Sequence, residues 1–143
     1  MTDRQTLDIR LRALRLYVGY LEKIKKFGVE RVSKDPFLEA ALCRYLHLAI
    51  ECVLDIGESL IAGRGWERPE TNRDVFIRLG EKKVLPKDFA TAFSSVGGLR
   101  NILVHDYMKV DLSLLFKNLS HLRDFETFAR HIARHIKGSS RRS

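Results

Sequence analysis

The chain has 143 residues and a formal net charge of +8 at pH 7. This length suits one domain with its own core, and the charge favours partners with phosphate or acidic groups, whether nucleic acid, acidic protein or anionic membrane. No stretch reaches the roughly twenty apolar residues of a membrane span, and the N-terminus has no apolar signal core, so the sequence predicts a cytoplasmic protein that does not enter a membrane.

Apolar residues recur every three or four positions along almost the whole chain, a period that predicts an all-α protein. A first helix is predicted over residues 3–26, and Gly28 ends it. A second helix is predicted over residues 35–62, because Asp35 can accept the free amides of the first turn and Pro36 fits that turn. Each of these helices is long enough to cross a small domain.

The second predicted helix is apolar over more of its surface than a helix on the outside of a domain needs. Its polar residues form one narrow stripe, composed of Arg44, His47, Glu51, Asp55 and Glu58. Such a helix is either central in the bundle or also packs on another chain. Glu51 and Asp55 have no third ligand for a metal, so we expect them to pair with arginines in a structural or interface role. Arg44 and Arg100 are the candidates.

Two shorter helical stretches follow a long loop. Thr71 begins a capping box for a short helix over residues 75–83. Pro86 then begins a fourth main segment, whose apolar residues keep helical spacing as far as Leu103. Gly97 and Gly98 weaken this helix by up to about 1 kcal/mol each relative to alanine. They therefore mark a place where another element packs closely or where the helix bends.

The last helix is predicted over residues 111–136, and the basic stretch after it carries no acidic residue. The predicted architecture is an antiparallel bundle of four main helices with one short extra helix. Residues 1–137 would form this single domain, and residues 138–143 a flexible basic tail.

Residues 100–107 read RNILVHDY, with polar groups around an apolar spacer that we expect to anchor the helix in the core. On a helix, Arg100 and His105 lie about 140° apart and about 7.5 Å along the axis, so they do not lie side by side. Arginine binds phosphate oxygens, and histidine transfers protons near neutral pH. The pair suits cleavage of RNA, whose own 2′-hydroxyl is the nucleophile, so that neither a protein nucleophile nor a metal is needed.

This reaction benefits from two proton-transfer groups, whereas the stretch offers one histidine. A twofold dimer that brings two copies of Arg100 and His105 into one basic cleft would supply the second group. It would also solve the geometric problem that the two side chains leave one helix in different directions. The sequence therefore predicts a homodimer.

RNILVHDY fits the R-x4-H-x-Y signature and so resembles the HEPN family, specifically its HepT branch, which are toxins of type VII toxin-antitoxin systems. Most of residues 36–115 resembles that branch, including AIECVLDIGESLIA, VFIRLGEKKVLP and VGGLRNILVHDYMKVD. The resemblance implies a HEPN-type helical bundle that forms dimers. It also implies a metal-independent endoribonuclease without a cofactor.

The resemblance further assigns roles to single residues. It implies that Arg100 and His105 are catalytic and that Asn101 is a polar helper. It implies that Tyr107 receives AMP from a small nucleotidyltransferase antitoxin, and this AMP would place a phosphate and a base where RNA would bind. The implied partners are RNA, a second copy of the chain and the antitoxin, with a larger hetero-oligomer left open.

A second hypothesis requires no catalysis. The chain would then be a helical substrate-binding or partner subunit of a two-component nucleotidyltransferase.

Two other features could suggest binding sites, but we favour a purely structural role for each. His131 and His135 are expected on a solvated face rather than as zinc ligands, and Trp66 is expected to cover an edge of the core rather than to stack on a base.

Overall fold

The computed structural model describes residues 3–105 and 111–142. Every regular element in these ranges is an α-helix, which confirms the predicted all-α class. The helices are α1 Asp3–Phe27, α2 Val29–Lys34, α3 Pro36–Gly63, α4 Asn72–Glu81, α5 Lys87–Phe93, α6 Ser95–His105, α7 Leu112–Leu119 and α8 Leu122–Arg142. Within the described ranges no helix combines the length and apolar character needed to cross a membrane.

The centre of the bundle is formed by α1 packed lengthwise against α3. The residues that α1 buries recur every three or four positions, as the sequence predicted, and are Leu7, Leu11, Leu14, Val18, Leu21 and Ile24. Burial of each leucine or isoleucine contributes about 1.5–3 kcal/mol. α3 buries residues on most of its circumference, as its apolar composition predicted, because α1, α4 and α6 all pack on it.

The predicted helix starts are confirmed where a side chain caps the first turn. The Asp35 carboxylate accepts the N–H groups of Phe37 and Leu38 at 3.0 and 3.3 Å. The Thr71 hydroxyl accepts the N–H of Asp74 at 3.1 Å. The Asp111 carboxylate accepts the N–H of Ser113 at 2.9 Å. Each bond satisfies an amide that the helix itself leaves without a partner.

Two predicted helices are each divided in the structure, so the expectation of continuous helices there was wrong. The fourth segment breaks at Ser94 between α5 and α6, and the last breaks at Ser120 between α7 and α8. The Ser94 hydroxyl donates to the Thr91 carbonyl, and the Ser120 hydroxyl to the Lys117 carbonyl, each at 2.6 Å. These bonds compete with the helical ladder at the point where the chain turns.

Two further differences concern stretches for which no helix was predicted. Residues 29–34 form α2 rather than a simple connection, and Gly28 permits the turn before it with a φ of 86°. α8 remains helical to Arg142, beyond the predicted end at residue 136. The assignment of residues 138–143 to a flexible tail stays a prediction.

Gly97 lies where α6 meets the start of α4, as its position predicted. A Cβ atom on Gly97 would lie 2.7 Å from the backbone nitrogen of Arg73 and 2.8 Å from the carbonyl carbon of Asn72. A Cβ atom on Gly98 would meet nothing within 4 Å. Only the first glycine is therefore required for close packing, and this contact determines how α6 sits on the bundle.

Candidate active site

α6 carries Arg100 on the surface of the bundle, and the opposite side of α6 anchors this helix to the core. Leu99 and Leu103 are buried, so they attach the helix to the core. The apolar spacer of the RNILVHDY stretch is not buried throughout, because Ile102 is 37% exposed. The expectation that the whole spacer faces inward was therefore wrong, since three consecutive helical residues cannot share one face.

Arg100 is held by a carboxylate from α3. Its Nε–H donates to Glu51 Oε1 at 2.8 Å, and both side chains are about one third exposed. This is one of the arginine pairs that the sequence predicted for Glu51. The bond uses one of the five guanidinium donors and leaves the two terminal amino groups out of it, and these are the groups that bind a phosphate in a bidentate manner.

His47 contacts the same carboxylate. Its Nε2 atom lies 3.3 Å from Glu51 Oε1, one helical turn away on α3. The sequence named no partner for His47, although its spacing of four residues from Glu51 was a usable signal. Glu51 thus lies between two basic side chains.

Asp55 continues the polar stripe but faces a different arginine from the two predicted. Burial raises the pKa of its carboxyl, the charge of Arg10 lowers it and the charge of Glu51 raises it. Arg10 also donates from Nη1 to the Ser59 hydroxyl at 2.6 Å. The relevant cation therefore comes from α1, which sequence spacing cannot reveal, and Arg44 is exposed on α3.

The remaining predicted residues are placed only in part. Asn101 is exposed, and its Oδ1 accepts a long hydrogen bond from Asn72 Nδ2 at 3.4 Å, which links it to the start of α4. His105 is the last residue of α6, with its backbone in the helix. Tyr107 lies outside the described residues, so its place relative to Arg100 stays a prediction.

Three residues outside this cluster have clear structural surroundings. Trp66 is half-buried against the core, with Lys82 Nζ 5.6 Å from its ring centre, which confirms the expected core edge. His131 is half-buried beside Phe89, with 6.0 Å between ring centres, so it lies only partly on the expected solvated face. In residues 3–105 and 111–142, no group of three or more histidine, cysteine, aspartate or glutamate side chains lies close enough to hold a metal ion.

Known proteins with similar sequences are nucleases by name. A family model described as Ribonuclease HepT-like matches residues 17–132. A tRNA nuclease HepT from Aphanizomenon flos-aquae is 32% identical over 138 residues, covering 92% of this chain and 92% of that protein. An mRNA nuclease HepT from Shewanella oneidensis is 28% identical over 97 residues, covering 67% of this chain and 73% of that protein.

A solved structure supports the same assignment at the level of the fold. It is a tri-AMPylated HEPN toxin from Shewanella oneidensis in complex with an MNT antitoxin. That toxin matches 94% of this chain and 99% of its own length with a TM-score of 0.82 and 22% sequence identity. The family model covers most of the chain, including the RNILVHDY stretch, and confirms the resemblance found in the sequence. The chain therefore belongs to the HepT-like ribonuclease family of HEPN proteins.

Proposed function

We propose that this chain is the toxin of a type VII toxin-antitoxin system and acts as a metal-independent endoribonuclease. The observation that carries the proposal is Arg100, oriented by Glu51 with its terminal amino groups outside that bond, in the R-x4-H-x-Y stretch of a HepT-like domain. Relatives named as tRNA and mRNA nucleases support RNA as the substrate class. The net charge of +8 suits a polyanionic substrate.

The proposed reaction is an internal transesterification. The 2′-oxygen of one nucleotide attacks its own 3′-phosphorus, the bond from phosphorus to the next 5′-oxygen breaks, and a 2′,3′-cyclic phosphate forms. One copy of His105 accepts the 2′-hydroxyl proton, and the copy from the partner chain donates a proton to the leaving 5′-oxygen. Arg100 stabilises the additional negative charge on the phosphoryl oxygens. Asn101 assists as a polar neighbour of the pair.

Substitution of the proposed catalytic residues tests this function. Arg100→Ala and His105→Ala should each lower RNA cleavage by about a hundredfold or more, the range typical of a lost charge-stabilising or proton-transfer group. The wild-type protein should keep its activity in EDTA. Arg44→Ala is the matched control, because it removes one exposed cation from α3. This variant should remain folded. Circular dichroism checks the folding of all variants. Cleavage by both variants at the wild-type rate would overturn the proposal.

We further propose that a cognate nucleotidyltransferase antitoxin neutralises the toxin by modifying Tyr107. The Tyr107 hydroxyl would attack the α-phosphorus of ATP, gain AMP and release pyrophosphate. The tri-AMPylated HEPN toxin solved with an MNT antitoxin supports this type of control. Tyr107→Phe should remain toxic when the antitoxin is coexpressed, and mass spectrometry should find no AMP on it.

The same experiments separate the nuclease from the second hypothesis. A non-catalytic partner subunit would bind the nucleotidyltransferase and cut no RNA, with or without the substitutions. Binding to the antitoxin alone therefore supports neither hypothesis over the other. Product formation from RNA, lost in Arg100→Ala and His105→Ala, is the result that distinguishes them.

A further inference from the structure

A second basic surface lies at the end of α4 that is remote from α6. It is a groove of about 1190 Å³, bordered by the end of α4, the start of α5 and residues 131–138 of α8. We call it the α4–α8 groove. The cationic side chains that line it are Arg64, Lys83, Lys87 and Arg134, together with the imidazoles of His131 and His135. Glu81 is the one carboxylate among the described lining residues, so the groove is strongly positive.

Lys83 occupies a backbone position that favours glycine. Its φ is 62°, the only positive value at a residue other than glycine in the described ranges. The turn is a Schellman motif, because the Lys83 N–H donates to the Gly80 carbonyl at 3.1 Å and the Val84 N–H donates to the Leu79 carbonyl at 3.0 Å. Lys83 is exposed beside the groove, and glycine could replace it without backbone strain, so its charge can be removed without disturbing the turn.

The interior of the groove suits a nucleotide chain better than an acidic protein surface. Between the cations lie the half-buried Ile77 and the exposed Pro86. The half-buried His131 ring, beside Phe89, adds a flat π-surface. Cations that hold phosphates, combined with rings and apolar surface for bases, are the features by which proteins bind single strands without sequence preference.

α4 connects the groove to the candidate active site. Its first residues pack on Gly97, one helical turn before Arg100, and its last residue lines the groove. The ten residues of α4 span about 15 Å. At a rise of about 3.4 Å per stacked nucleotide, a strand needs roughly five nucleotides to reach from one to the other.

We propose that the α4–α8 groove binds the phosphates of the RNA strand about five nucleotides or more from the cleaved bond. Lys83, Lys87 and Arg134 hold the backbone there, and the groove adds affinity that does not depend on sequence. The inference rests on the proposed function and extends it, because it assigns a second substrate contact outside the Arg100 cluster.

A double substitution at the groove tests the proposal without relying on activity. The probe is a single-stranded RNA of about twelve nucleotides with 2′-O-methyl sugars, which cannot be cut by transesterification, and fluorescence anisotropy measures its dissociation constant. Lys83→Gly with Lys87→Gln should weaken binding about 25-fold at 0.1 M salt and reduce the slope of log K against log salt by about 1.4, as expected for two lost phosphate contacts. Because glycine suits a positive φ, Lys83→Gly should not lower the Tm.

The matched control removes the same charge elsewhere. Lys23→Gln with Lys26→Gln changes two exposed lysines near the end of α1 and should weaken binding less than about threefold. The start of α1 lies beside Arg64 of the groove, so its far end is about 30 Å away, well beyond the Debye length of about 10 Å at 0.1 M salt. An RNA of about three nucleotides, too short to contact the groove and the candidate active site at once, should bind the wild type more weakly than the twelve-nucleotide probe does.

Equal losses in the groove and control variants would overturn the proposal. So would a groove variant that keeps its RNA affinity but loses affinity for the antitoxin, since the groove would then be a protein interface. The binding test does not depend on the proposed nuclease function, because the probe cannot be cleaved. If the nuclease proposal is wrong and the groove proposal is right, the groove will still bind the probe. The chain will then cut no RNA, or its Arg100→Ala variant will cut RNA like the wild type.

Discussion

Glu51 is a positioning residue for Arg100 by virtue of one short bond. Its Oε1 atom accepts Nε–H of Arg100 at 2.8 Å and lies 3.3 Å from Nε2 of His47. The carboxylate orients the guanidinium, yet its negative charge also lies near the place proposed for a phosphate. Orientation of the guanidinium should raise kcat, whereas the negative charge should weaken RNA binding, so kinetics can separate the two effects.

Glu51→Ala should therefore lower kcat about tenfold while KM for RNA stays the same or falls, because orientation is lost together with a repelling charge. Glu51→Gln should recover most of kcat, since its amide oxygen can still accept the Nε–H of Arg100. Glu22→Ala removes an exposed acid from α1 and serves as the control. An equal loss of kcat in Glu51→Gln and Glu51→Ala would contradict the positioning role.

His131 should make stability depend on pH. Burial lowers the pKa of its imidazole, and the charges of Arg134 and Arg130 lower it further. The folded state therefore binds this proton less readily than the unfolded state, whose histidine pKa is about 6.5. The stability contributed by neutral His131 is complete above about pH 6.5 and is lost as the pH falls through that value towards the folded pKa.

Urea unfolding measured at about pH 7.5 and about pH 5.5 tests this sign. His131→Leu should lose less stability between the two values than the wild type does, because leucine takes no proton. His121→Leu is the control, since the His121 side chain is 64% exposed. A wild-type pH dependence in His131→Leu would show that other groups are responsible.

At the scale of elements, α6 is fixed by its close approach to α4. A methyl group at Gly97 would have to displace backbone atoms of α4, whereas the same group at Gly98 would enter open space. Overpacking of this kind costs about 1–3 kcal/mol, and alanine in a helix regains up to about 1 kcal/mol over glycine. The two neighbouring glycines should therefore respond with opposite signs.

Gly97→Ala is expected to lower the free energy of unfolding by about 1–2 kcal/mol, and Gly98→Ala to raise it by up to about 1 kcal/mol. Urea unfolding with a common m-value measures both. Because Arg100 lies one turn after Gly97, RNA cleavage should also fall in Gly97→Ala. Equal changes in stability for the two variants would contradict the packing explanation.

The breaks at Ser94 and Ser120 show that local sequence does not fully determine where a helix ends. Apolar spacing alone indicated one helix through Ser94 and one through Ser120, since the buried residues keep the same period on both sides. Each serine instead donates its hydroxyl to the carbonyl three residues earlier. Serine also occurs within regular helices, so the break is selected by the packing of the neighbouring helices.

At the scale of the whole molecule, the proposed nuclease is complete only as a dimer. Arg100 and His105 lie five residues apart on one helix, and their α-carbons differ by about 140° in direction. One chain cannot supply two histidines to one scissile bond from this stretch. The proposed twofold dimer would supply them and would place two copies of Arg100 in the same cleft.

Mixed dimers test this assembly. A mixed dimer of one wild-type and one His105→Ala chain should cleave RNA at least about tenfold more slowly than the wild type, because the shared cleft then holds one of the two proton-transfer groups that the reaction needs. Cleavage by the purified mixed dimer, compared with each parent homodimer, is the measurement. A mixed dimer that keeps half of the wild-type rate would show that each chain cuts RNA by itself.

Local sequence patterns determined much of what could be predicted about this protein. Helical spacing predicted the all-α class, and the signature around Arg100 predicted the family. Most helix starts were predicted from the residues that cap them, which are Asp35, Thr71 and Asp111. Each depends on residues within a few positions of one another, where backbone geometry relates sequence distance to spatial distance.

Tertiary packing decided the rest. It alone brings Arg10 of α1 to the carboxylate stripe of α3, selects Glu51 as the partner of Arg100 and gathers the cations of the α4–α8 groove from residues 64–134. Pairing of charges across helices depends on which faces the core turns towards each other, and that choice is made by the burial of all the apolar stripes together. A sequence pattern predicts which residues of each helix form its apolar stripe, but it does not predict which other helix that stripe packs against.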